Sequence, residues 1–198
     1  MGKHLIFVAA PPACGKNYVS DMICKSVPGI VFLDKDELAP LMRRAFFLSN
    51  QEFNMDGSFY RDNLRPFEYE TLLEIAFSNL RYSDTVLLCA PFGREVRDSA
   101  VMAALKARAA VLGAALSLVW VSTPVDICHA RMKARNAQRD RGKLLAWEAY
   151  ASTIRYDPPQ LLADSGAVDR LFIFDNRNLQ TAEESLARLL KILKEGRS

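Results

Sequence analysis

Four groups of residues in this 198-residue chain have the types and spacing to do chemistry. The first is Ala10-Pro11-Pro12-Ala13-Cys14-Gly15-Lys16-Asn17, a phosphate-binding loop of the form G-x-x-x-x-G-K-[ST] with two letters changed. Successive backbone N–H groups in such a loop point into a concavity, and the helix that follows adds partial positive charge, so a polyphosphate is held there. Gly15 lets the backbone approach closely, and Lys16 supplies a mobile cation for the terminal phosphates. Pro12, Ala13, Cys14, Gly15, Lys16, Asn17 and Tyr18 are the candidate nucleotide contacts. Ala10 replaces the first glycine, which is harmless at negative φ and costly at positive φ. Asn17 replaces the hydroxyl residue that ordinarily ligates Mg²⁺. Its amide oxygen is a candidate metal ligand of longer reach and different geometry. Cys14, near a helix N-terminus, is expected to have a lowered pKa, and its modification to block nucleotide binding.

The second group, Asp34 and Asp36, closes the apolar run Ile30–Leu33. A carboxylate there can take the proton of an attacking hydroxyl, or it can cap the helix that follows. The third is a row of arginines, Arg131, Arg135 and Arg139, with Lys133, Arg141 and Lys143 between them. On one helix the three arginines share a face and span about 12 Å, a layout suited to a lid that brings positive charge to a migrating phosphoryl group. The fourth is Asp175-Asn176-Arg177-Asn178, a turn after the last apolar run. Arg94 reads best as a solvated arginine at a helix start.

The elements that must position these groups follow from periodicity. Leu5–Val8, Ile30–Leu33, Thr85–Ala90, Leu116–Val121 and Leu171–Phe174 are short apolar runs of the kind that form buried parallel strands. Helical patterns separate them. Val19, Met22 and Ile23 follow the loop, and Leu72, Ala76 and Leu80 share a face near Pro66–Arg81. Val101, Leu105 and Leu112 follow Arg94, and Leu186, Leu189, Leu190 and Leu193 form a final stripe. Alternating strands and helices imply an α/β fold of three layers, a parallel sheet covered on both faces. The polar stretch Asn50–Asn63 reads as a loop insertion that contacts substrate.

Bulk composition is that of one soluble globular domain spanning residues 1–198, with half the residues hydrophobic and a quarter charged. A net charge of +3 is too small to argue for nucleic acid as an obligate partner, so nucleic acid is possible but not favoured. Cys14, Cys24, Cys89 and Cys128 have neither C-x-x-C pairing nor zinc spacing. With no secretory pattern and no long apolar span, the expectation is a reduced cytoplasmic protein without membrane contact. Trp120 and Trp147 read as packing residues.

With loop, carboxylates and arginine row together, the chain resembles small P-loop kinases from about Lys3 to Leu193. It is similar to the kinase domain of polynucleotide 5′-kinase, the zeta-toxin kinases and chloramphenicol phosphotransferase. The resemblance implies an adenylate-kinase-like core with strand order 2-3-1-4-5 and an arginine-rich lid near residues 131–145. It implies ATP and Mg²⁺ as cofactors. Phe32-Leu33-Asp34-Lys35-Asp36-Glu37 looks like the family's acidic segment, which makes Asp36 the general base. Arg135-Asn136-Ala137-Gln138-Arg139 is similar to the lid motif R-N-x-x-R and carries Arg135 and Arg139 over as lid arginines. Asn176 and Arg177 occupy the position of the base-contacting loop. The family's acidic residue after the third strand is Cys89 here.

Transfer of the ATP γ-phosphate to a hydroxyl of a small or nucleotide-like acceptor is therefore expected. Lys16, Asp36, Arg135 and Arg139 are its catalytic residues, and Arg131 and Asn176 are further nucleotide contacts. The acceptor is expected beside Asp36 and the 50–65 segment, where Asp56, Tyr60, Arg61 and Arg65 are candidate contacts. The alternative is a nucleotide-binding regulator or ATPase with little or no transfer, to which Ala10, Asn17 and Cys89 point.

Overall fold

The computed structural model describes residues 2–195; Met1 and residues 196–198, part of the expected domain span, lie outside the described residues. Five strands form one sheet: β1 (Lys3–Ala9), β2 (Ile30–Asp34), β3 (Thr85–Cys89), β4 (Ala114–Ser122) and β5 (Arg170–Asp175). Their order is β2-β3-β1-β4-β5, and every neighbouring pair is parallel. Strand composition follows position in the sheet. Five of the seven β1 residues, Leu5 to Ala9, are fully apolar and buried, whereas the edge strands β2 and β5 are mostly half-buried.

Helices fill both faces. Leu5, Phe7 and Ala9 pack with Leu72, Ala76 and Leu80 of α3 (Arg65–Leu80) and Met102, Leu105 and Ala109 of α4 (Ser99–Val111). Ile6 and Val8 point the other way, against Val19 and Ile23 of α1 (Lys16–Ser26), Cys128 of α5 (Val125–Arg135), and Leu189 and Leu193 of α8 (Leu179–Glu195). Alternate residues of one strand thus anchor opposite layers, the three-layer arrangement expected of a buried parallel sheet. Trp120 is 1% exposed within the first layer.

Two sequence expectations change in detail. The buried face of α4 runs through Met102, Leu105 and Ala109, and Val101 is exposed. Ala100, Val101, Ala103 and Ala104 make this helix apolar on several sides, so periodicity alone does not select its buried face. The 50–65 segment is only half loop. Tyr60–Leu64 form a wide helical turn that runs directly into α3, and Tyr60 is buried. This segment is preceded by α2 (Ala39–Leu48), reached from β2 through a tight turn at Lys35–Leu38.

Because all strands are parallel, their carboxyl ends share one edge: Asp34 aligns with Cys89, Val8 with Cys89, and Ser122 with Asp175. A crevice outside these ends is where ligands bind in open α/β sheets.

Candidate active site

The loop between β1 and α1 wraps one carbonyl. Cys14 O accepts from Asn176 Nδ2 at 2.8 Å, Thr123 Oγ1 at 2.9 Å and Arg131 Nη1 at 3.5 Å. The donors come from the ends of β5 and β4 and from α5, so three elements fix the loop. Ala10 is fully buried and has no positive φ, so the glycine it replaces is not needed for backbone reasons. The left-handed conformations fall instead on Ala13 (φ 65°) and Gly15 (φ 94°). A Cβ on Gly15 would overlap Asn176 Nδ2, so glycine is required there twice over.

Lys16 begins α1 and lines a cleft of about 730 Å³. Burial pulls its ammonium below the usual lysine range, against the opposing pull of nearby Asp34 and Asp36. Asn17 Nδ2 donates to Asp34 Oδ2 at 2.5 Å, and its Oδ1 faces the Cys89 thiol at 3.7 Å. The sequence departures at positions 17 and 89 are therefore in contact. Burial pushes the Cys89 thiol up to about 11, so it stays protonated and able to donate.

The two carboxylates divide their work. Asp34 Oδ1 accepts the Asp36 backbone N–H at 3.0 Å, capping the turn that begins at Lys35. Asp36 is half-exposed, 3.1 Å from Arg139 Nη1 and 3.3 Å from Lys35 Nζ. Burial raises Asp36, but Lys35 and Arg139 outweigh it and hold the carboxyl below the usual range. Lys35 is itself buried, 3.4 Å from Glu68, whose side chain is fully enclosed and also accepts from the Tyr60 hydroxyl. A buried chain of charges thus runs from α3 through Lys35 to Asp36.

The arginine row is not one helix. α5 ends at Arg135, and Asn136 takes a left-handed C-cap conformation (φ 46°). Arg139 lies on a following single turn, Gln138–Asp140, and α6 (Arg141–Leu145) and α7 (Trp147–Thr153) continue beyond it. Asparagine tolerates this conformation, and the break turns the chain back over the strand ends. Arg131, Arg135 and Arg139 nevertheless line the same cleft. Arg135 pairs with buried Asp140 at 2.8 Å, and Lys143 of α6 reaches Asp56 at 3.1 Å. Trp147 stacks on His129, with ring centroids 4.0 Å apart, in keeping with a packing role.

Other candidates sort by position. Tyr60, Arg65 and Asp56 line the cleft, Arg65 held by Glu95 at 2.9 Å. Arg61 instead pairs with Asp62 outside the cleft lining. Asn176 is 3% exposed and its amide is engaged by the loop, so it braces the loop from beneath, and Arg177 turns to Asp175. Arg94 is exposed at the cleft rim with no acidic partner among the described residues. Cys14 reverses its expectation. A hydrogen bond with Cys128 Sγ at 3.3 Å, reinforced by burial, raises its thiol pKa. Sequence reading missed Thr123, Glu68, Lys35, Asp140 and Tyr150 as parts of this site. Only Lys35, set between two strand-tip carboxylates, carried a local signal. Among the described residues no group of three or more His, Cys, Asp or Glu side chains is arranged to hold a metal ion.

The family model for AAA_33, an AAA domain, matches residues 5–156, from the first strand to just past α7. The chain belongs to this AAA domain family. No curated protein matches the sequence of this AAA domain. Among solved structures, a candidate kinase from Chloroflexus aurantiacus superposes with a TM-score of 0.69 at 18% identity, over 98% of both chains. Shikimate kinase from Bacteroides thetaiotaomicron gives 0.57 at 14% identity, covering 96% of this AAA domain and 98% of that chain. APS kinase from Mycobacterium tuberculosis, solved with AMPPNP and APS, gives 0.52 at 17% identity over 98% of both chains. These establish the small P-loop kinase fold for the AAA domain described here. No described helix is long and apolar enough to cross a membrane.

Proposed function

We propose that this AAA domain is an ATP-dependent phosphotransferase that moves the γ-phosphate of ATP to a hydroxyl of a small or nucleotide-like acceptor. The observation that carries the reading is the convergence of Lys16, Asp36, Arg135 and Arg139 on one cleft at the carboxyl ends of the strands. Shikimate kinase and APS kinase share the fold, which supports transfer to a hydroxyl of a small molecule.

In this reading the loop amides and Lys16 hold the phosphates, and the half-buried position of Lys16 strengthens its field at the terminal oxygens. Arg131, bound to the carbonyls of Cys14 and Asn176, braces the loop while lining the nucleotide side of the cleft. Asp36, kept ionised by Lys35 and Arg139, accepts the acceptor's hydroxyl proton. Arg139 then exchanges its partner, leaving Asp36 for the migrating phosphoryl group, and Arg135 approaches from the same side. Tyr60, Arg65 and Asp56 enclose the acceptor. Mg²⁺, when bound, neutralises phosphate charge. The Asn17 and Asp34 oxygens both line the cleft and are of the hard donor type that would hold it with waters.

A screen of hydroxyl-bearing metabolites with γ-labelled ATP tests the reading. Transfer to one acceptor class, reduced roughly 10²- to 10⁴-fold in Asp36→Asn with ATP affinity retained, is expected. Undiminished transfer in Asp36→Asn would remove Asp36 as base. One observation favours the regulator reading: the Asn17 amide is tied to Asp34 instead of presenting a hydroxyl to a metal. Tight ATP binding with no transfer to any acceptor would support it.

A further inference from the structure

The mechanism leaves two buried thiols unused, and they meet at the point where the phosphate loop rests on the lid-bearing helix. Cys14 Sγ and Cys128 Sγ lie 3.3 Å apart, although 114 residues separate them in the chain, and both side chains are essentially inaccessible. Cys14 sits in the middle of the loop, and Cys128 is on α5, one turn before Arg131. We propose that Cys14 and Cys128 form a reversible disulfide under hydrogen peroxide, and that this bond switches off the nucleotide loop. The second half of this statement rests on the nucleotide-binding reading above.

The geometry favours this pair over the other two cysteines. Cys24 is half-exposed on α1, and Cys89 is directed at Asn17. Neither has a second sulfur in hydrogen-bond contact among the described residues. Within the pair the roles are unequal. The thiol hydrogen bond from Cys14 holds Cys128 below the usual cysteine range and Arg131 adds to this, although burial opposes it. Cys128 is therefore the more readily ionised thiol of the pair and Cys14 the less readily ionised one. Peroxide is scarcely larger than water, and Ala13 and Gly15, on either side of Cys14, both line the open cleft.

The chemistry balances with peroxide as oxidant. The Cys128 thiolate attacks one peroxide oxygen, the O–O bond breaks, and hydroxide leaves and is protonated to water, giving a sulfenic acid. The Cys14 sulfur then attacks the Cys128 sulfur. The S–O bond breaks, the Cys14 proton leaves with the departing hydroxide as a second water, and the S–S bond forms. Two thiols are oxidised and one peroxide is reduced to two waters. Bond formation draws the sulfurs to about 2.05 Å. That pulls Cys14 toward α5 and strains the three hydrogen bonds on its carbonyl, on which the loop's shape depends.

The test uses the full chain treated with hydrogen peroxide, then intact mass, non-reducing peptide mapping and ATP calorimetry. The expected result is a loss of about 2 Da, corresponding to two hydrogens, in a peptide joining Cys14 to Cys128. ATP affinity should fall roughly tenfold, the size of one displaced hydrogen bond, and recover with dithiothreitol. Cys24→Ser should behave as the native protein. Cys14→Ser and Cys128→Ala should each lose the cross-link, and Cys128→Ala should bind ATP equally well before and after peroxide. Far-ultraviolet circular dichroism of each variant checks that it folds. A cross-link that forms only in urea, or joins other cysteines, would overturn the proposal. So would a Cys14–Cys128 bond that leaves ATP affinity unchanged. If the reduced protein does not bind ATP at all, the nucleotide reading fails while the mass measurement still decides the disulfide.

Discussion

Gly15→Ala reports on how the phosphate loop is held, and its cost can be worked from two contributions. The first is conformational. At φ 94° a Cβ costs about 1–2 kcal/mol, offset by about 0.4–1 kcal/mol because alanine stiffens the unfolded chain. The second is local. The new methyl overlaps Asn176 Nδ2 and drives the amide off the Cys14 carbonyl, leaving a buried donor without its acceptor at about 1–3 kcal/mol. The sum is a destabilisation of about 1–5 kcal/mol, centred on about 3 kcal/mol. Gly29→Ala is the internal control. Gly29 has a similar φ, 80°, but nothing lies within 4 Å of its Cβ position, so it should show only the first contribution, about 1 kcal/mol or less. Urea unfolding of both variants, monitored by circular dichroism, measures the difference. Removing the obstructing side chain as well, in Gly15→Ala/Asn176→Ala, should cost less than the sum of the two single changes, because both break the same contact. Equal costs at positions 15 and 29, or strict additivity in the double variant, would refute the role assigned to Asn176 beneath the loop.

Three further outcomes are expected. Ala13 is held at φ 65°, so Ala13→Gly should stabilise the protein by up to about 1 kcal/mol in the same unfolding assay, relief of strain exceeding glycine's entropic cost. The Asp36 carboxyl titrates below its unfolded value, so its ionised form contributes stability above the ordinary carboxylate range, a contribution lost as pH falls through the lowered folded value. Arg139→Gln removes one of the cations that outweigh burial. A carboxyl NMR titration should then place Asp36 at higher pKa, and the acid limb of any transfer activity should move to higher pH with it. Glu68→Ala takes from buried Lys35 its buried partner, leaving it with half-exposed Asp36, and strands the Tyr60 hydroxyl; it should cost about 3 kcal/mol in urea unfolding.

Much of this was legible in sequence because it is local. Each strand is a short apolar run ending in a turn. The loop, the Asp34–Asp36 pair and the arginines are short motifs whose positions follow once strands are placed parallel. What escaped depends on residues far apart in the chain. Nothing near Lys35 announces Glu68, 33 residues on, and nothing near Cys14 announces Thr123, Cys128 or Asn176. The continuous arginine helix failed because Asn136 can adopt a left-handed cap, an ability that side-chain periodicity does not register. The buried face of α4 shifted because alanines serve either side of a helix equally well. Asn176, expected at the nucleotide base, lies beneath the loop because its amide has an acceptor there, and sequence does not reveal that distance.

The central claim is tested most directly by ATP calorimetry, with and without Mg²⁺, on the native protein, Lys16→Ala and Asn17→Ser. The account predicts that the native protein binds ATP and that Mg²⁺ strengthens binding. Lys16→Ala should weaken it roughly 10- to 100-fold, the loss of a charge-assisted contact, and Asn17→Ser should increase its dependence on the metal. A native protein that does not bind ATP, or a Lys16→Ala variant that binds it equally well, would contradict the claim that this cleft is a nucleotide site.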